Sequence, residues 1–353
     1  KKLLDLGYSE VWIEKGAGAS SFQDDSNYST AGASIKSRKE VLEDAEVILS
    51  IQTPEEAEIS PDKILVTQMN PLSHPEIAQV FAKKGVSVFS MDMVPRTTKA
   101  QAMDVLSSMA TSAGYKAVLQ AALHLPKFFP MFMTAAGTII PAKVLILGAG
   151  VAGLQAISTA KRLGGVVEAF DVRAAAKEEV LSLGAKFVEV EGATDDTSAG
   201  GYAVEQTEEY KQRQAALIQE HAIKSDVIIC TAQIPGRKAP LLIQEETLHK
   251  MKPGSVIVDL AASTGGNCAG TKNNETVVIN GVSIIGDSNL ASSIPLDSSK
   301  MYGKNLINFF KEVVADGAIN FDFENEIIHH TCVSHAGSII SPRVLDKFSS
   351  VAS

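Results

Sequence analysis

Three glycines and one aspartate set out the first chemistry this chain could perform. Gly148, Gly150 and Gly153 form G-x-G-x-x-G directly after an apolar run, Lys143–Leu147, and directly before a helical stretch. In that position the first glycine permits a tight turn. The second lets a pyrophosphate approach the backbone, and the third lets helix and strand pack closely. The uncompensated N–H groups and dipole at the helix start, Val151 and Ala152 included, attract phosphate. A second apolar run ends at Phe170, and Asp171 follows it. That spacing suits a carboxylate accepting from a ribose 2′-hydroxyl. A tight strand-to-helix turn with no ligand would need similar glycines, but not the acid at the end of the next strand. Asp171 favours NAD, because it would repel a 2′-phosphate; Arg173, two residues on, is a residue type that can accept one.

A second polar group gathers at Arg96, Gln101 and Asp104. It reads either as a solvated helix start or as an arginine, an amide and a carboxylate able to hold a carboxamide and ribose hydroxyls. Around these residues the chain alternates between strand and helix patterns. Short apolar runs at Val11–Ile13, Val47–Ile51, Ile64–Thr67 and Val86–Phe89 are separated by helical stretches at Ser37–Ala45 and Pro75–Lys84. Ser37 and Glu40 have capping-box spacing. The second half offers six strand candidates: Lys143–Leu147, Val166–Asp171, Lys186–Val190, Asp226–Thr231, Ser255–Leu260 and Val282–Gly286. Such alternation predicts an α/β chain of two Rossmann-like, doubly wound parallel-sheet domains with a cleft between them. The first is expected over 1–107 plus 315–353, and the nucleotide-binding domain over 108–314. Leu241–Met251 reads as a helix, the apolar run Phe128–Ala142 as a buried connection, and Gly192–Glu205 as a mobile loop carrying Gly201 and Tyr202.

Composition narrows the alternatives. Net charge is −9 with no basic block, which argues against nucleic acid as a partner. No run reaches the roughly 18 apolar residues of a membrane span. Cys230, Cys268 and Cys332 lack metal-ligand or C-x-x-C spacing and read as buried thiols in a reduced compartment. Seven histidines are present, none flanking a strand end of the nucleotide half, and no metal-binding spacing is visible. Lys1–Gly7 reads as the end of a helix without an initiator Met, so the sequence is expected to be a fragment.

Six segments carry a family resemblance: P-R-T-T-K-A-Q-A-M-D-V-L-S-S (95–108), G-A-G-V-A-G-L-Q-A-I (148–157), D-V-R-A-A (171–175), A-G-G-Y-A (199–203), T-A-Q-I-P-G-R (231–237) and K-P-G-S-V-I-V-D-L-A (252–261). Together they resemble the NAD(H)-binding component, domain I, of proton-translocating NAD(P) transhydrogenases. The likeness runs along essentially the whole chain, and 95–108 is its most specific stretch. It implies direct hydride transfer between NAD(H) here and NADP(H) on a partner component, a further membrane component that conducts protons, and a homodimer. It places the chain as a soluble domain peripheral to a membrane, on the side of the reduced compartment. It also implies residue roles. Arg96 would hold the NAD side, Gln101 would reach the NADP nicotinamide ribose, Asp104 would orient the nicotinamide end and Ser107 would contact its carboxamide. Val151 would pack under the cofactor; Asp171, Val172 and Arg173 would surround the adenosine ribose. Gly201 and Tyr202 would belong to a closing loop. Ala232 and Gln233 would flank the cofactor, Gln233 standing where an apolar residue is expected.

The sister family, alanine dehydrogenase, carries a catalytic lysine in K-x-K-E-P and a histidine in T-x-x-H. Here the matching runs are Ser50-Ile51-Gln52-Thr53-Pro54 and Thr67-Gln68-Met69-Asn70, so Gln52 and Asn70 replace both groups. Amino-acid oxidation thereby loses its acid–base machinery. The alternatives to transhydrogenation are therefore an alanine-dehydrogenase-like oxidoreductase or a non-catalytic, NAD-binding regulatory module.

Overall fold

A computed structural model describes residues 1–173, 175–190 and 207–351. The chain divides into two compact units, Lys1–Ser108 with Pro295–Ser353, and Met109–Ile294. The second division precedes the helix Pro295–Val313, which the sequence pattern grouped with the nucleotide half. That helix is amphipathic, and its polar side chains bond within the first unit. Asn305 and Asn308 both donate to the Ala102 carbonyl, at 2.9 and 3.1 Å. Tyr302 donates to the Ser50 carbonyl at 3.3 Å.

In the second unit the sheet order is Lys186–Phe187, Val166–Phe170, Lys143–Leu147, Val227–Cys230, Val256–Asp259, Val282–Ile285, Thr276–Ile279. The first six are parallel, and the last pairs antiparallel with its neighbour. Strand residues alternate between two apolar layers. Val144, Ile146, Val167, Ala169, Val227, Ile229, Val256 and Val258 fill one face. Leu145, Leu147, Phe170, Ile228, Cys230, Ile257 and Ile284 fill the other. Burial on both faces explains why these strands read as continuous apolar runs rather than alternating ones.

The seventh strand was not expected. Its signal is Asn280-Gly281, both at positive φ (50° and 75°), between two β-branched runs. Asn-Gly is the pairing that a two-residue type I′ hairpin turn favours. Two other expectations are corrected. Leu241–Met251 contains only the short helix Glu245–Leu248, because Leu242 and Ile243 instead donate backbone bonds to the Asn267 carbonyl at 2.7 and 2.9 Å. Phe128–Ala142 is no buried connection. It forms a hairpin, Phe132–Thr134 with Gly137–Ile139, whose Met133 and Ile140 are 79% and 65% exposed.

The first unit holds a five-stranded sheet in the order Ser338–Ile339, Cys332–His335, Ser87–Ser90, Ile64–Gln68, Val47–Gln52. The last three are parallel, while the two from the C-terminal segment run antiparallel. Leu42, Ile48, Leu65, Phe81, Val86 and Val88 pack on one side with Val333 and Val344. On the other side Phe89 meets Phe309 edge-on at 5.7 Å. A separate parallel pair joins Trp12–Glu14 to Ser34–Lys36. The Ser37/Glu40 capping box forms in full at the start of the helix Arg38–Asp44. Among the described residues, no helix is long and apolar enough to cross a membrane.

Candidate functional site

The glycine motif has three separate reasons for its three glycines. Gly148 turns the chain at φ +100°, where a Cβ would also lie 2.5 Å from Thr231 Oγ1. At Gly153 a Cβ would stand 1.8 Å from the Gly148 carbonyl oxygen, so the helix Val151–Arg162 could not seat against its strand. Gly150 is different: a Cβ there would meet nothing within 4 Å. Neither packing nor backbone strain demands that glycine, since its φ is −76°. What it preserves is open space directly before a helix start with no side-chain cap. Open backbone at an uncapped helix N-terminus is the arrangement that receives a pyrophosphate.

The helix is brought close to its surroundings by further small residues. A Cβ at Gly114, on the helix Val105–His124, would stand 2.1 Å from the Ala152 carbonyl oxygen. Thr231 donates to the Gly148 carbonyl at 2.9 Å and lies 3.2 Å from that of Leu147, fixing the turn from the neighbouring strand.

Asp171 sits at the end of the strand Val166–Phe170, with its side chain only 7% exposed. One carboxylate oxygen accepts from the Ala149 N–H at 2.7 Å and from an Arg173 terminal nitrogen at 3.0 Å. The other accepts from the Arg173 backbone N–H at 2.8 Å and from its Nε at 2.9 Å. The hydrogen bond to Asp171 shifts the Arg173 guanidinium pKa upward, against an opposing effect of burial. Val172, between them, packs on the apolar layer under the sheet.

Beyond the fourth parallel strand, Ala232 and Gln233 are held by residues that the sequence did not single out. Asn267, fully buried, accepts from the Ala232 N–H at 3.0 Å and donates to the Ala232 and Pro240 carbonyls at 2.9 and 2.8 Å. Asp259, also fully buried, accepts from the backbone N–H groups of Ala261, Asn267 and Cys268 and from the Thr271 hydroxyl. Burial raises its pKa, while those four donors pull the other way. Exposed Gln233 donates to the Leu260 carbonyl at 2.6 Å, so a polar residue is accommodated where an apolar one was expected. The thiols of Cys230, Cys268 and Cys332 are free and buried; burial pushes Cys268 and Cys332 up to about 12.

In the first unit, Gln101 begins a 3-10 turn, Gln101–Met103, and Arg96 lies exposed before it. Asp104 accepts from the Ser107 N–H at 2.9 Å and from its hydroxyl at 2.5 Å, which caps the start of Val105–His124. The structure thus joins Asp104 to Ser107, and separately joins the glycine motif to Asp171 and Arg173. Gly201 and Tyr202 lie outside the described residues. Asn267 and Thr231 could be found only from their contacts, since nothing in G-G-N-C or C-T-A marks them as clamps.

An open glycine turn, an uncapped helix start and a carboxylate closing the next strand define a dinucleotide-binding Rossmann fold. Comparison with known proteins narrows the class. The models for the "Alanine dehydrogenase/PNT, N-terminal domain" and "Alanine dehydrogenase/PNT, C-terminal domain" match residues 1–113 and 117–342. The chain belongs to the alanine dehydrogenase/PNT family. It is 43% identical over 355 residues to an NAD(P) transhydrogenase subunit alpha of Rhodospirillum rubrum, covering 97% of this chain and 92% of that protein. The alanine dehydrogenase of Bacillus subtilis is 29% identical over 273 residues, covering 75% and 65% of the two chains. Among solved structures, the transhydrogenase from Sinorhizobium meliloti superposes with a TM-score of 0.83 at 41% identity, covering 97% of this chain and 92% of that one. An L-alanine dehydrogenase superposes at 0.78 with 21% identity, covering 99% and 93%, and so shares the fold.

Proposed function

We propose that this chain is the NAD(H)-binding component of an NAD(P) transhydrogenase, passing hydride between NAD(H) and NADP(H) held on a partner component. When bound, NAD(H) gives or accepts hydride at its nicotinamide ring, with no protein acid or base required. The chain's residues bind and orient. The open backbone at Gly150 with Val151, Ala152 and Gly153 would receive the pyrophosphate. Asp171, Val172 and Arg173 would hold the adenosine ribose, and Ala232 and Gln233 would flank the cofactor. Arg96, Gln101, Asp104 and Ser107 would serve the nicotinamide end, Gln101 toward the second nucleotide. Gly201 and Tyr202 complete the assignment.

The observation that carries this over amino-acid oxidation is what stands at the first unit's parallel strand ends. Gln52 closes one strand, in register with Gln68 on the next. Asn70 follows at φ 53°, its N–H donating to Asp92 at 3.3 Å. Gln52 and Asn70 are amides, able to hydrogen bond but not to exchange a proton or fix a carboxylate by charge. Support from the whole chain comes from its 43% identity to a transhydrogenase alpha subunit.

The test mixes this protein, an NADP(H)-binding transhydrogenase component loaded with NADPH, and a reducible NAD analogue with a distinct absorbance. Hydride transfer requiring both proteins is the expected result. Its absence, or NADH oxidation driven by pyruvate and ammonia, would overturn the assignment.

The remaining family properties belong to the same proposal. Proton translocation would reside in a membrane partner. The chain would form a homodimer, and the hairpin Phe132–Ile139 supplies a surface suited to it. Phe128 and Phe132 meet edge-on at 4.7 Å, beside exposed Met131 and Met133. Such a contiguous apolar surface is a typical interaction site. Met133→Lys with Ile140→Lys should convert a dimer to a monomer in sedimentation; an unchanged mass would exclude that surface.

A further inference from the structure

The carboxylate of Asp171 has no acceptor position left. An ionised carboxyl offers about four lone-pair sites. Four donors already occupy them: the backbone N–H groups of Ala149 and Arg173, and two guanidinium nitrogens of Arg173. A ribose 2′-hydroxyl can therefore bond to Asp171 only if the guanidinium gives way. The two backbone donors belong to the turn itself, whereas the Arg173 side chain is 31% exposed and can swing outward. The pair is thus closed on itself in a way that a ligand must open.

We propose that Arg173 is a latent 2′-phosphate receptor which Asp171 silences, so that the pair, rather than Asp171 alone, sets the choice between NAD(H) and NADP(H). The proposal rests on the nucleotide site assigned above. Two effects follow from one carboxylate. It repels a 2′-phosphate, and it engages in a bidentate pair the arginine that would otherwise attract one. Arginine matches phosphate and carboxylate by the same planar fork, so the two compete for it directly. Removing the negative charge at 171 should do more than weaken NADH. It should release a guanidinium already within reach of the ribose and create affinity for the phosphorylated nucleotide. A component that exchanges hydride with NADP(H) on a partner needs such discrimination, since NADPH seated in its own site would block NADH.

NADH and NADPH are titrated against wild type, Asp171→Asn, Arg173→Gln and the double variant, by calorimetry or nucleotide fluorescence. For Asp171→Asn, NADH should weaken and NADPH tighten, each on the order of tenfold, the scale of a charge-assisted hydrogen bond. The double variant should lose the NADPH gain. Arg173→Gln alone leaves the Ala149 and backbone bonds to Asp171 in place, so it guards against a folding defect. It should keep NADH within a few-fold and weaken NADPH at least a few-fold. Any NADPH gain in Asp171→Asn that persists without Arg173 overturns the proposal. So does a folded Asp171→Asn that still binds NADH but gains no NADPH, or an Arg173→Gln with unaltered NADPH affinity. A wild-type protein that binds no NADH would instead overturn the site assignment itself, and the proposal with it.

Discussion

Gly150 and Gly153 sit three residues apart, yet their alanine variants should fail in opposite ways. At Gly150 a methyl group enters open space, with no atom within 4 Å and φ at −76°. Alanine restricts the unfolded chain, stabilising by about 0.4–1 kcal/mol. As a poorer N-cap than glycine it gives back a similar amount. Stability should therefore change by less than about 0.5 kcal/mol. That methyl would occupy the path of the pyrophosphate, so NADH affinity should fall at least tenfold, or roughly 1.4 kcal/mol. At Gly153 the methyl would stand 1.8 Å from the Gly148 oxygen. Helix and strand must separate, at a cost on the order of 1–3 kcal/mol. Urea unfolding and NADH titration of both variants provide the assay. A Gly150→Ala protein that binds NADH like wild type would refute the phosphate assignment. A Gly153→Ala protein as stable as wild type would refute the packing account.

Asn267→Ala removes three hydrogen bonds from a buried site, so the second unit should lose about 2–4 kcal/mol in urea titrations. A loss below about 1 kcal/mol would mean that water replaces the clamp. Gln101→Asn should slow hydride transfer while leaving NADH affinity intact, because its assigned partner is the other nucleotide; parallel losses would contradict that role. Asp226 provides a pH prediction. Burial works to raise its pKa, but bonds from Lys127, the Lys143 N–H and Lys252 outweigh it and hold the pKa below its ordinary 3.8. A depressed folded pKa stabilises above the unfolded value and is lost as pH falls through the folded one. Asp226→Asn should therefore be less stable at neutral pH and show a shallower acid-induced loss below about pH 4; parallel stability–pH curves would refute this.

Much of the second unit was legible because local and global requirements coincide there. Apolar runs, glycines at fixed offsets and the acid at 171 each have one dominant use in a parallel nucleotide fold. The capping box at Ser37 and Glu40 was similarly local. What escaped depends on chain segments far apart in sequence. Phe128–Ala142 is as apolar as a core segment, and hydropathy carries no information on whether a hairpin folds inward or projects. The helix expected over Leu241–Met251 yielded to backbone pairing with Asn267, which no periodicity in that stretch announces. Asn267 itself is a single amide whose importance comes from the carbonyls surrounding it. The antiparallel edge strand was signalled by Asn280-Gly281 and was missed because counting six parallel strands had already completed the expected sheet.

Asp226 also bears on how the second unit assembles. Its carboxylate gathers Lys127 Nζ at 2.8 Å, the Lys143 N–H at 2.9 Å and Lys252 Nζ at 3.2 Å, partners 99, 83 and 26 residues away. Closing loops of that length is entropically costly, and such contacts are rewarded only once the strands between them are aligned. We therefore expect the knot at Asp226 to tighten after the folding barrier rather than before it. Cutting it should accelerate unwinding of the native unit in stopped-flow experiments and leave the refolding arm nearly unmoved, making this small cluster a guardian of lifetime more than of folding speed.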